Sequence, residues 1–351
     1  MGGFKMKKFI AFLMTGLITV SLLYGCGSKQ EGSNSGLSEG NEQSAGEEQG
    51  SDNSEEKIKV GISMISTTDE FCATMVDGMN QAVEELGGAV EIYLVDSVFD
   101  QAKQFDQIDT FISQGMDVAV VQPVNYNSST SGIEALNNAD IPVIEFCTNS
   151  EGGEYVYVGS SGYDSGYLQG QWVAENAPEN ATYVYLMCAM GETSQVDRKK
   201  GFDDALAESG RTDLKKLSEQ SANAARDEGL KVTEDWIQAY GSFDMVVSQN
   251  DAMALGAQEA LRSAGLDDTI ILGIDGNKDA IESIKDGEFT ATFLQQGYKM
   301  GYYTIMMAYW TATEDEKATG EDMIIPFALI DSSNCDEFLS MSIEDYIAYE
   351  D

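Results

Sequence analysis

At a series of points along the chain, polar side chains able to grip a hydroxylated molecule follow short apolar runs. They are Asp69, Gln122, Cys147-Thr148-Asn149, Asn250, Asp275 and Gln295, with Arg198 in the first turns of a helix beginning near Ser194. Amides, carboxylates and one guanidinium facing a common cleft form bidentate hydrogen bonds to a polyhydroxylated ligand. Phe71, beside Asp69, offers an apolar face for a sugar ring. Each has a plainer reading. Asn250 can simply cap the helix after it, since Asn is a favoured N-cap. Asp275-Gly276 can be a turn, Gln122 can satisfy backbone ahead of Pro123, Phe71 can be core, and Arg198 can be a surface ion-pair partner.

Other chemistries lack their residues. The 351 residues contain no histidine, which removes the usual general base, the Ser-His and Cys-His pairs and the commonest metal ligand. A carboxylate-pair glycosidase stays formally open, but among 60 acidic residues no pair stands out. Cys26, Cys72, Cys147, Cys188 and Cys335 are widely and irregularly spaced, with no C-x-x-C, so neither a zinc site nor a redox motif is expected. Mostly free thiols are favoured, with pairing left open. No cofactor, no metal and no catalytic residue is expected. The formal charge of −40 makes nucleic acid a poor partner, because phosphate binding relies on Lys and Arg. An acidic surface of this kind serves solubility, or meets a basic face on a membrane partner.

The elements that must position these residues alternate strand with helix. Lys59–Met64, Val90–Val95, Val118–Gln122, Pro142–Phe146 and Tyr155–Val158 read as strands. Phe71, Met75, Met79, Val83 and Leu86 mark one helix face, and Phe105, Ile108, Phe111 and Ile112 mark another that ends at Gly115. The rhythm restarts with helices at about 163–176, 194–208, 225–240 and 251–264, and strands at 182–187, 244–248, 269–274 and 289–295. Continuous apolar strands suit parallel sheets covered on both faces. Two successive units of five or six strands imply an α/β protein of two Rossmann-like lobes with a cleft between them. Open parallel sheets bind ligands at the carboxyl ends of their strands, where the polar residues fall.

The N-terminus carries a different message. Lys7 and Lys8, a short apolar run from Phe9 to about Tyr24, and Leu23-Tyr24-Gly25-Cys26 fit a signal peptide over residues 1–25 with a bacterial lipoprotein cleavage box. Cys26 then becomes the acylated first residue of the mature chain, working outside the cytoplasm at the cell membrane. Residues 26–56 form a polar, acidic linker that cannot bury a core. As a flexible coil of about 30 residues it spans roughly 30 Å.

Taken together, Val60-Gly61-Ile62-Ser63, Glu84-Glu85-Leu86-Gly87, Ile141-Pro142-Val143-Ile144, Arg198-x-x-Gly201-Phe202, the run Gln249 to Ala257 and Gly273-Ile274-Asp275-Gly276 give a specific pattern. It resembles the type I periplasmic sugar-binding proteins, the ribose/galactose-binding group that serves ABC importers, over residues 57 to about 330. The resemblance implies two lobes joined by a three-segment hinge near Ser160-Ser161, Gln295–Gly297 and Ile325-Pro326. One lobe would comprise 57–160 and 297–325, the other 161–296 and 326–351. It also implies sugar contacts from Arg198, Asn250, Asp275 and Gln295, polar contacts from Asp69 and Gln122, and stacking by Phe71. Where the family often carries Asp-Arg or Asn-Lys/Arg after the fourth strand, this chain has Cys147-Thr148, and the position aligned with the family's second stacking aromatic falls near Ala224. A monosaccharide is the leading ligand, with a modified sugar, a small polyol or an autoinducer-like furanose open. The expected function is a monomeric, lipid-anchored, non-catalytic receptor that delivers its solute to an ABC permease and ATPase. The alternative is a sensor component docking on a membrane kinase or chemoreceptor.

Overall fold

The computed structural model describes residues 57–350. The proposed signal peptide, Cys26 and the linker lie outside the described residues. The first half of the chain runs β1 (Ile58–Met64), α1 (Glu70–Glu85), β2 (Val90–Asp96), α2 (Gln101–Gln114), β3 (Val118–Val121), α3 (Thr130–Asn138), β4 (Val143–Phe146) and β5 (Val156–Gly159). The second runs α4 (Gly162–Asn176), β6 (Thr182–Met187), α5 (Thr193–Ser209), β7 (Lys215–Ser221), α6 (Arg226–Tyr240), β8 (Met245–Ser248), α7 (Asp251–Ala264), β9 (Ile270–Asp275), α8 (Lys278–Lys285) and β10 (Ala291–Gln295). Then come α9 (Gly297–Ala312), β11 (Met323–Ile324), β12 (Phe327–Asp331), α10 (Cys335–Ser340) and α11 (Ile343–Ala348).

Two six-stranded sheets result, ordered β11-β5-β4-β3-β1-β2 and β12-β10-β9-β8-β6-β7. Every pairing is parallel except β10 with β12. The chain passes from the first sheet to the second after β5, returns after β10 and crosses again between β11 and β12. Each lobe is therefore assembled from separate stretches of sequence.

The strand sequences explain the layering. In β3, Val118 and Val120 face the cluster containing Met75, Met79 and Met300, from α1 and α9. Ala119 and Val121 face the opposite cluster, with Ile108, Phe111, Ile133 and Leu136 from α2 and α3. Side chains alternate across a strand, so a strand covered on both faces must be apolar throughout. β6 repeats the arrangement: Val184 and Leu186 pack with Trp236 and Leu261, while Tyr183 and Tyr185 pack with Val173 and Phe202.

In both sheets the strand order reverses direction next to the first strand of the unit, between β1 and β3 and between β6 and β8. Ligands of doubly wound sheets bind in the crevice at such switch points. The carboxyl ends of β1 and β3 lead to Asp69 and Gln122; those of β6 and β8 lead to Arg198 and Asn250.

Candidate ligand-binding cleft

Arg198 is brought to the cleft by α5, and α5 is fixed by its packing on α4. The two helices approach so closely that a Cβ on Gly166 would lie 1.9 Å from the Arg198 carbonyl oxygen, and one on Gly201 would lie 2.0 Å from that of Tyr163. Only glycine permits this approach. One turn after Arg198, Phe202 anchors the helix in the core against Tyr185, with ring centroids 4.9 Å apart.

Thus held, the Arg198 side chain is 6% exposed. It donates from one terminal nitrogen to the Gln249 carbonyl and from the other to Gln295 Oε1 at 2.8 Å, and that second nitrogen lies 3.7 Å from Asp275 Oδ1. Its Nε is buried without a protein partner. Gln249 is itself braced, accepting from Cys188 N at 2.8 Å and donating to the Gln195 carbonyl at 2.9 Å.

Asp275 ends β9 at φ 128°, a backbone region that residues other than glycine rarely occupy. The loop that follows is tied down by Asp251, which accepts from Thr292 Oγ1 at 2.7 Å and from Asn277 N at 2.8 Å. Burial raises the Asp275 carboxyl well above the usual carboxylate range, and the Arg198 charge opposes the rise without cancelling it.

The first lobe contributes Cys147, Thr148 and Asn149. Cys147 has φ 62°, and its carbonyl accepts from the Tyr157 hydroxyl at 2.8 Å. Its Sγ is 4.0 Å from Gln295 Nε2, so the two lobes meet across the cleft at this point. Burial pushes the thiol up to about 12, which keeps it protonated and uncharged at neutral pH. The charges of Asp69, Asp275 and Arg198 all act on this sulfur, which places it where groups from both lobes converge.

Of these groups, Cys147, Thr148, Asn149, Arg198 and Gln295, but not Asp275, line a cavity of 170 Å³, together with Tyr157, Ser160, Ser161, Gly162, Thr193, Ser194, Asp197 and Phe327. That volume is well below the roughly 300–1,000 Å³ of sites for drug-sized ligands and suits a smaller solute. The Ser160 hydroxyl is buried there without a partner.

Other expected contacts sit elsewhere. Phe71 is 9% exposed and packs in the first lobe's core with Cys72 and Met75. Gln122 is buried; its Oε1 accepts from Ile65 N at 3.2 Å, and its side chain lies near the thiols of Cys72 and Cys147. Asn250 caps α7, accepting from Met253 N at 3.0 Å and donating to the Ala224 carbonyl at 3.1 Å. Asp69 caps α1 through Cys72 N at 3.1 Å and is exposed. None of these four lines the cavity. Sequence reasoning did not single out Tyr157, Thr193, Ser194, Asp197 or Phe327 for the site. Thr193 and Ser194 open α5 and Phe327 follows the last lobe crossing, positions a sequence could signal; Tyr157 inside β5 and Asp197 one turn into α5 carry no such signal.

Cys72, Cys147, Cys188 and Cys335 are free thiols. Among the described residues no helix is long and apolar enough to cross a membrane, and no group of three or more cysteine or carboxylate side chains is placed to hold a metal ion.

Comparison with known proteins bears on this cleft. A ribose import binding protein of Bacillus subtilis is 28% identical over 246 residues, covering 70% of this chain and 78% of that one. An ABC transporter solute-binding protein of Bacillus halodurans, solved with bound myo-inositol, superposes with a TM-score of 0.76 at 30% identity, covering 81% of this chain and 98% of that one. A myo-inositol-binding protein of Caulobacter gives 0.75 at 28% identity, covering 80% and 95%. The profile of the periplasmic binding protein domain matches residues 60–316, and the chain belongs to that family.

Proposed function

We propose that this protein captures one small polyhydroxylated solute, a monosaccharide or a related polyol, between its lobes and hands it to an ABC permease without altering it. The observation that carries this reading is the Arg198 fork. A buried guanidinium is held by Gln249, Gln295 and Asp275 at the edge of a small polar cavity, with Nε still lacking a partner. Such a fixed array of donors and acceptors suits hydroxyl groups, which both donate and accept. Relatives crystallised with myo-inositol share the fold along most of this chain, which supports a cyclic polyol as readily as a pentose.

In this reading the lobes comprise 57–160 with 297–325 and 161–296 with 326–351, and they close around the ligand because contacts from both exist together only when the cleft is shut. Cys147, Thr148, Asn149, Arg198, Asp275 and Gln295 form the inner contacts, and Asp69, Phe71, Gln122 and Asn250 act around them. Residues 1–25 direct export, and acylated Cys26 tethers a monomeric receptor to the outer face of the cell membrane.

Titrating the protein with ribose, xylitol and myo-inositol, while following its melting temperature and tryptophan fluorescence, tests the proposal. A ligand at a hundred times its Kd stabilises the folded state by about 2.7 kcal/mol, a readily measured rise. No response to any sugar or polyol would sink it.

A further inference from the structure

The chain continues past its last strand, and the extension does not stay with the lobe it has just completed. Beyond β12, α10 packs on α8 and β12 of the second lobe. Ser342 and Asp345 then form a capping box that starts α11, and α11 lies against α9 and α1 of the first lobe. The Tyr346 ring stands between the two. Its centroid is 5.1 Å from that of Tyr298 on α9 and 6.1 Å from that of Phe338 on α10, and its hydroxyl donates to the Phe338 carbonyl at 2.8 Å. Tyr349 also packs on Phe338, at 5.2 Å, while its carbonyl accepts from Lys299 Nζ of α9.

The same flank is approached a second time. Glu70, the first residue of α1, faces the start of α8, close enough to Lys278 and Asp279 to feel their backbone N–H groups and the Asp279 charge. The covalent crossings between the lobes follow β5 and β10 and separate β11 from β12. The α11 contact is thus a fourth, non-covalent tie.

We infer that residues 341–350 form a strap that fastens the two lobes in the shut arrangement and must peel from α9 before the cleft can open. The inference rests on the reading of the molecule as a two-lobed solute receptor. Contacts present only in the shut form raise its population, and a ligand that requires that form then binds more tightly, by the fraction of molecules already competent. The strap sets how often the empty receptor is shut.

Hydrogen exchange of the full-length, ligand-free protein reads this directly. Tyr346→Ala, which empties the contact between Tyr298 and Phe338, is expected to speed exchange severalfold in the cleft segments 66–72, 147–149 and 275–279. The sheet interiors at 118–121 and 245–248 should keep wild-type rates. Faster exchange confined to 335–350 would overturn the inference. If the sheet interiors also loosen, Lys299→Met decides, because it removes only the bond to the Tyr349 carbonyl: faster cleft exchange upholds the strap and unchanged cleft exchange refutes it. No ligand enters the measurement, so its failure leaves solute binding standing, and only the absence of any sugar or polyol response would remove that.

Discussion

Arg198 shows how one residue's surroundings fix its role. A surface ion-pair partner would be solvated and exchangeable, and such pairs contribute little. Here the guanidinium is buried, with both terminal nitrogens committed to Gln249 and Gln295 and with Asp275 3.7 Å away. Lysine would keep the charge but lose the planar fork. Arg198→Lys is therefore expected to stay folded while losing at least about tenfold in polyol affinity, equivalent to about 1.4 kcal/mol. Arg198→Ala should cost stability as well, on the order of 3 kcal/mol, because the Gln249 carbonyl and Gln295 Oε1 are left buried without their donor. Denaturant unfolding beside ligand titration separates the two effects. An Arg198→Lys variant that binds like wild type would show that the fork is not what the ligand contacts.

At the scale of elements, the placement of Arg198 depends on the α4–α5 contact. A Cβ on Gly166 would press on the Arg198 backbone carbonyl itself, so Gly166→Ala must push α5 outward or strain both helices. Overpacking of this kind costs about 1–3 kcal/mol. The variant is expected to melt lower and to bind more weakly, since the displaced helix carries the fork; a wild-type melting curve would mean the contact relaxes without consequence. Elements of this kind were legible because their patterns are strong. The apolar runs of β1, β3, β6 and β8 and the stripe of α1 gave boundaries within a residue or two, and Gly115 ends α2 at φ 62° as a C-cap glycine should. β7 was not legible: Lys215–Ser221 has Leu217 as its sole apolar residue and is an edge strand that faces water. Nor was α9 legible as a helix. Its residues Gly297–Ala312 are apolar on nearly every side, so no stripe marks the period. Within the cleft, the motif residues lie at or just beyond strand ends, but sequence could not show that Asn250 and Gln122 direct their side chains to backbone groups, or that Phe71 turns into the core.

For the molecule as a whole, the net charge of −40 and the absence of histidine make carboxylates the groups that govern stability between pH 4 and 7. Among the described residues two are fully buried, and burial raises both to about 7: Glu145 at the centre of β4 and Asp251 at the start of α7. In the unfolded chain they would ionise near 4. Each is protonated in both states below pH 4, so its contribution to folding is complete there. As pH rises the unfolded chain releases these protons first, and the contribution is lost by about pH 7. Carboxylates held below their ordinary range, such as Asp213 beside Arg211 and Asp244 beside Thr182, act the other way, but their loss falls at the acid end. Self-repulsion of the acidic surface adds to the decline on the alkaline side. The melting temperature should accordingly be higher at pH 5 than at pH 8. Glu145→Gln isolates one share of that slope. The amide can accept from Ser150 N as the carboxylate does at 2.9 Å, and it can donate to Ser150 Oγ, which already donates to the Gly152 carbonyl at 2.8 Å. This variant should match wild type at pH 5 and exceed it at pH 8. A wild-type melting temperature that is flat or rises from pH 5 to pH 8 would show that the buried carboxyls do not control the decline toward neutral and alkaline pH.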